Sequence, residues 1–170
     1  MTRPLNPDDI VTDEETLDSL ILGDMHIIQP KKGYRFSLDA VLLAHFADLD
    51  GVTKVVDLGT GNGVIPLLLA ARDARLAICG IEIQDRMVER AQRSIALNGL
   101  KERIDIIRAD INDIDQTLPK GGFDLAVSNP PFWKNGQGIV SANEEEAIAR
   151  HELRVNLGTL VARGAHLLRA

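Results

Sequence analysis

From Lys54 onward the chain alternates short apolar runs with amphipathic stretches: Val55 to Leu58, Val64 to Arg72, Leu76 to Ile81, Asp85 to Asn98, Ile104 to Arg108 and Phe123 to Ser128. No other feature constrains the fold as much. Strands joined by helix-length crossovers pair side by side in one direction, and the crossing helices cover the sheet. The pattern predicts an α/β fold built on a parallel sheet with helices on both faces. In the stretch from Asp85, the residues Val88, Ala91, Ile95 and Asn98 form one stripe, and Gly99 is the stop signal. Pro66 falls in a first helical turn, where its missing N–H is harmless. Leu153, Leu157, Leu160, Val161, Gly164, Leu167 and Leu168 then recur at steps of three and four, which predicts a helix running to the end of the chain. A fifth strand normally follows such a helix. The sequence therefore reads as a core truncated after the helix that follows strand four, with the edge beside Phe123 to Ser128 open to self-association.

Ahead of this core, residues 1–18 are acidic and lack both a basic start and an apolar signal core, so they read as a mobile leader. Residues 19–50 follow as a unit. Two apolar runs, Leu20 to Leu22 and Met25 to Ile28, are separated by Gly23 and Asp24 and predict a small N-terminal β-hairpin. A helix capped by Ser37 comes next, and its Leu38, Val41, Leu42, His45, Phe46 and Leu49 are expected to face the body of the protein. Residues 51–170 make the core. A chain of 170 residues, 45% hydrophobic, suits one compact domain. With 19 Lys and Arg against 25 Asp and Glu the net charge is -6, which excludes a polybasic nucleic-acid module. Contact with nucleic acid then requires a local patch or a shaped pocket. The single Cys79 cannot form an internal disulfide and reads as a buried strand residue of a cytoplasmic protein. No Cys/His cluster has metal-ligand spacing, so no metal is expected. The longest apolar run, Val64 to Ala71, has eight residues, against roughly 20 for a bilayer crossing, so no membrane partner is expected.

The first core strand runs into Asp57-Leu58-Gly59-Thr60-Gly61-Asn62-Gly63 and then directly into a helix. Glycines permit the turn and let a ligand approach backbone N–H groups at the helix start. A dinucleotide fingerprint reads G-x-G-x-x-G, but here the third glycine falls one place early, at Gly63, and position 64 is Val. That spacing favours S-adenosylmethionine over NAD. Glu82 ends the second strand about twenty residues further on, where a carboxylate accepts both ribose hydroxyls. Ile81 and Ile83 beside it can grip an adenine ring. Asp110, followed by Ile111, ends the third strand and can accept from the adenine amino group. Each of these acids alone reads as a solvated strand end; the glycine turn, Glu82 and Asp110 together read as a cofactor rim. After the fourth strand comes Asn129-Pro130-Pro131-Phe132, then Trp133. An exocyclic aromatic amine is a weak nucleophile because its lone pair is delocalised into the ring. The Asn129 side-chain oxygen and the Pro130 carbonyl can both accept from such an NH2, the two prolines fix those acceptors, and the aromatics offer faces for a flipped or single-stranded base.

These residues resemble the class I S-adenosylmethionine-dependent methyltransferases of the amino-methylating type. Gln29 to Ala40 and Ala149-Arg150-His151-Glu152 are similar to the bacterial tRNA(Val) (adenine-N6)-methyltransferases. The resemblance implies a Rossmann-like class I methyltransferase fold and S-adenosylmethionine as cofactor, with S-adenosylhomocysteine as product. It implies cofactor contacts at Asp57, Gly59, Thr60, Gly61, Asn62, Gly63, Glu82, Ile83, Asp110, Ile111 and Asn129, and amine contacts at Asn129 to Phe132. Tyr34, Arg35, Phe36 and Asp39 are expected to close over the pocket, and Lys31, Lys32, Arg35 and Trp133 to meet a tRNA substrate. Methylation of a protein glutamine amide or of guanine N2 uses the same tetrapeptide and stays open, as does a non-catalytic module that binds the cofactor or RNA.

Overall fold

The computed structural model describes residues 10–20, 22–130 and 157–169. Strands β1 (Glu15–Ser19) and β2 (His26–Pro30) form an antiparallel hairpin with Leu17 opposite Ile28. The hairpin is where the sequence predicts one, but its first strand lies earlier. Leu20 and Leu22 belong to the connection, and Glu15 to Asp18, assigned to a mobile leader, are strand. The acids misled because their partners are remote in sequence. Buried Glu15 pairs with Arg90 and Arg93, and Asp18 with Arg35. Ile27 and Ile28 are fully buried. The outer edge of β2 is satisfied by side chains: the Ile28 N–H donates to Ser94 Oγ at 3.0 Å and the His26 N–H to Asn98 Oδ1 at 2.9 Å, so the strand is not left as an open edge.

Helix α1 (Leu38–Phe46) follows Ser37, whose backbone is extended but whose side chain makes no capping bond. Its orientation departs from the expectation in part: Val41 and Leu49 pack against the core as expected, but the other four residues of the stripe do not. Ala40 and Ala44 are buried, whereas Leu38, Leu42 and Phe46 are 68%, 42% and 77% exposed. The neighbour explains this: α2 (Val64–Arg72) is apolar almost all round, and the small side chains of Ala40 and Ala44, one turn apart, let the two helices approach closely. Arg72 reinforces the contact by donating to the carbonyl oxygens of Ala44 and Ala47, at 2.5 and 2.8 Å.

The central sheet is parallel, with strands β3 (Lys54–Leu58), β4 (Ala77–Glu82), β5 (Ile104–Arg108) and β6 (Leu125–Val127) in the order β5-β4-β3-β6. Alternate strand residues face opposite layers. Val55, Ile78 and Ile106 pack with α1, α2 and α3 (Asp85–Leu97), while Val56, Ile81 and Cys79 pack with Ile111 and Ile114 of a 3-10 turn (Ile111–Gln116) and with Leu167 of α4 (Leu157–Leu167). Helices thus cover both faces. The last helix stops earlier than its spacing predicts. Leu168 leaves it to bridge Phe123 in parallel, the Phe123 N–H donating to the Leu167 carbonyl and the Arg169 N–H to the Phe123 carbonyl. That bridge lies along the β6 edge expected to be open. Leu157 and Val161, assigned to the core stripe of this helix, are 72% and 62% exposed, and Leu153 lies outside the described residues. Among the described residues no helix is long and apolar enough to cross a membrane.

Gly80 in β4 locks the sheet to the turn after β3: a Cβ there meets Ile106 Cδ1 at 2.6 Å and the Thr60 side chain at 2.9 and 3.0 Å. Gly80→Ala is expected to lower unfolding stability by about 1–3 kcal/mol through overpacking, measured by urea denaturation. An unchanged midpoint would show that Ile106 and Thr60 give way freely.

Candidate cofactor rim

Strand β3 ends at Leu58, and the chain reverses through Gly59 to Gly63 into α2. Two glycines are required there for different reasons. Gly63 has φ 82° and a Cβ would meet Ala91 Cβ at 3.2 Å, so it brings the turn onto α3. Gly61 has φ 57°, and the Tyr34 ring lies 3.5 Å from where its Cβ would be. The turn is tied to the neighbouring strand at both the carbonyl and the carboxylate. The N–H groups of Gly59 and Thr60 both donate to the Ile81 carbonyl at 2.9 Å. The Gly61 N–H donates to Glu82 Oε2 at 2.9 Å, while Glu82 Oε1 accepts from the N–H groups of Ile83 and Gln84 at 2.9 and 3.0 Å. Ala109 beyond β5 donates its N–H to the Glu82 carbonyl, and Ser128 Oγ beyond β6 donates to the Leu58 carbonyl at 2.6 Å. The carboxyl ends of four strands are therefore held level, which is where open α/β sheets bind ligands, at the point where strand order reverses.

Asp57, one residue before the end of β3, is fully buried and neither of its carboxylate oxygens has a hydrogen-bond partner. Burial pushes its carboxyl up to about 7; the Thr60 hydroxyl, close but outside hydrogen-bonding geometry, opposes the rise, and the Glu82 charge adds to it. The Tyr34 phenol is raised by burial and by the charges of Asp57, Glu82 and Asp39, so the ring sits in a nest of acids. Asp110 caps the 3-10 turn, its Oδ1 accepting from the Asn112 N–H and Nδ2 at 2.8 and 2.9 Å. Ile83 is half-buried and Ile111 buried. Asn129 and Pro130, both half-buried, follow β6 at the same rim: Asp57 pairs with Val127, two residues before Asn129. Pro131, Phe132, Trp133 and Ala149 to Glu152 lie outside the described residues.

Tyr34 joins the glycine turn, but its neighbours do not. Arg35 is bound to the hairpin through Asp18, Thr16 Oγ1 and the Pro30 carbonyl. Phe36 packs against the core and donates its N–H to Gln29 Oε1. Lys31 donates to the Asp13 carbonyl at 2.8 Å, and Lys32 is exposed. The Asn62 amide points away from the mouth of the turn, to Arg90 and to the Tyr34 carbonyl. Glu15, Arg90, Gly80 and Ser128 are parts of the site's support that sequence reasoning missed. The one signal, and only for Glu15 and Arg90, was a basic pair at helical spacing, Arg90 and Arg93, on a helix whose buried face is mostly apolar. Among the described residues no group of three or more His, Cys, Asp or Glu could hold a metal ion. The rim can hold a ligand that carries hydroxyl donors and positive charge.

Residues 38–160 match the family described as methyltransferase small domain. A tRNA1(Val) (adenine(37)-N6)-methyltransferase of Tolumonas auensis is 30% identical over 151 residues, which cover 88% of this chain and 61% of that protein. Its counterpart in Haemophilus influenzae is 35% identical over 136 residues, 79% of this chain and 57% of the relative. The chain thus spans between half and two thirds of the length of these relatives. The solved structure of a geranyl diphosphate methyltransferase in complex with GPP and sinefungin superposes with a TM-score of 0.58 at 16% identity, covering 78% of this chain and 41% of that one. That likeness shows the Rossmann-like class I methyltransferase fold.

The orphaned carboxyl at position 57 makes the folded state sensitive to pH. Its pKa is raised from 3.8 to about 7, so its destabilising effect is absent below pH 4 and grows as pH rises through 7. The unfolding free energy of Asp57→Asn minus that of the native chain is expected to increase by roughly 4 kcal/mol between pH 4 and pH 8. A difference independent of pH would show that Asp57 is not a buried, unpartnered acid.

Proposed function

The chain belongs to the methyltransferase small domain family, and on that footing we propose that it binds S-adenosylmethionine at this rim and transfers its methyl group to the exocyclic N6 amine of an adenine in tRNA. The observation that carries the reading is the levelling of the glycine turn, Glu82 and Asn129-Pro130 at one sheet end by strand register. When bound, the cofactor supplies a methyl group on a positively charged sulfur. The residues present fit it. Asp57 brings two buried oxygens without partners, and its charge adds to those of Glu82 and Asp39 around Tyr34, giving a negative potential suited to a cation. A Cβ on Gly59 would meet nothing within 4 Å, so backbone there is open to close approach.

Glu82, held rigid by the Gly61, Ile83 and Gln84 N–H groups, is placed to take ribose hydroxyls, and Asp110 and Ile111 to border the adenine. Asn129 Oδ1 and the Pro130 carbonyl accept the two protons of the target amine, which turns its lone pair out of ring conjugation. The proton lost from nitrogen passes to water, so no base of unusual pKa is required. Pro131 and Phe132 complete the clamp in this reading, with Phe132 and Trp133 as stacking faces. The tRNA assignment rests on the names of the relatives. It favours Lys31 and Lys32, exposed at the hairpin exit, as phosphate contacts, and it supports a cytoplasmic location.

Asn129→Ala is expected to reduce methyl transfer to total tRNA by about 100-fold or more, with S-adenosylhomocysteine affinity within about threefold of the native chain. Undiminished transfer would remove Asn129 from the chemistry. Label appearing in protein, or on guanine, would redirect the substrate assignment. Glu82→Ala is expected to weaken S-adenosylhomocysteine binding by about tenfold or more, and equal affinity by calorimetry would overturn the ribose role.

A further inference from the structure

A line of buried polar groups runs from the N-terminal hairpin to the glycine turn. Glu15, at the start of β1, accepts from Arg90 Nε at 2.9 Å through Oε1 and from Arg93 at 2.6 and 2.7 Å through both oxygens, and the Thr12 N–H adds a bond at 3.1 Å. The side chains of Glu15 and Arg90 are 4% and 8% exposed. Burial pushes the Glu15 carboxyl up, but Arg93, the Thr12 N–H and Arg90 outweigh it and hold the group at about 2. It is therefore a fixed negative charge at any working pH.

The Glu15 pairs and the Ser94 and Asn98 bonds already dock the hairpin on α3, yet Arg90 extends a second arm. Its Nη1 lies 3.3 Å from Asn62 Oδ1, and Asn62 Nδ2 lies 3.4 Å from the Tyr34 carbonyl. Both bonds are long, but the site is dry and the donor at Arg90 is charged, which strengthens them. Asn62 sits between Gly61 and Gly63, and its amide is 2% exposed. The Asn62 side chain, itself part of the turn, therefore ties the turn to the Tyr34 wall of the mouth through the Tyr34 carbonyl, while Glu82 holds the Gly61 N–H. Tyr34 in turn lays its ring on Gly61. Arg90 can reach Asn62 only if its guanidinium is turned correctly, and the Glu15 bond to Nε sets that turn.

We propose that Arg90, oriented by Glu15, is a positioning residue for the cofactor turn, so that the hairpin raises cofactor affinity without touching the cofactor. This rests on the reading of the turn as a cofactor cradle. Arg90 acts through Asn62, and a lysine cannot replace it, because one ammonium on a single stem does not span both partners.

The test is S-adenosylhomocysteine affinity by calorimetry, with thermal unfolding in parallel, on the full chain and on Glu15→Gln, Asn62→Ala, Arg90→Lys and the Glu15→Gln/Asn62→Ala double variant. Asn62 has no left-handed backbone angle, so alanine brings no backbone strain there. Asn62→Ala and Arg90→Lys are expected to weaken binding about tenfold, Glu15→Gln about threefold or more, and the double variant no more than Asn62→Ala alone, because both changes break the same arm. Variants with lowered melting temperatures and native affinity would overturn the proposal and reduce Glu15 and Arg90 to hairpin anchors. Independent, multiplying losses in the double variant would also overturn it. Should Glu15→Gln fail to fold, Arg90→Lys against Asn62→Ala decides: native affinity in either sinks the relay. A folded native chain that binds no S-adenosylhomocysteine would instead refute the cofactor reading itself.

Discussion

The Glu82 carboxylate is the hinge pin of this molecule. It ends the strand next to the glycine turn, and its oxygens take N–H groups from Gly61 on one side and from Ile83 and Gln84 on the other. Backbone amides at a turn and at a helix entry lack partners within their own element. One carboxylate supplies them, so the turn and the start of α3 share a common anchor. The level ends of β3, β4, β5 and β6 then follow from strand register and from two further bonds, from Ala109 and Ser128.

Two other buried acids show how the same residue type is put to opposite uses. Glu15 is surrounded by two guanidinium groups and an N–H, and stays charged down to about pH 2. Asp57 has neither, and its carboxyl rises to about 7. The difference is the number of donors that replace lost water. A fully partnered acid fastens one segment to another. An acid with two orphaned oxygens is driven toward its neutral form by the same burial.

The helix before the core makes a related point about packing. Leu38, Leu42 and Phe46 form an apolar stripe by sequence, yet the structure buries Ala40 and Ala44. Periodicity measures which face is more apolar; it says nothing about how near the neighbour must come. Against α2, itself apolar nearly all round, closeness outweighed bulk. Leu157 and Val161 in α4 were misassigned in the same way.

Local pattern alone determined the alternation of strands and helices, the parallel sheet, the bounds of α2 and β5, and the placing of the glycine turn, Glu82, Asp110 and Asn129 just at or beyond strand ends. These follow from rules that act over a few residues: side-chain period, the backbone freedom of glycine, and residues that start or stop an element. Only the tertiary structure decided that Glu15 to Asp18 are strand and not a free leader, that Arg35 serves the hairpin while Tyr34 serves the turn, and that Asn62 faces Arg90. Each depends on a partner tens of residues away. A buried charge is tolerable only beside its counter-charge, and no local window of sequence reveals where that counter-charge will stand.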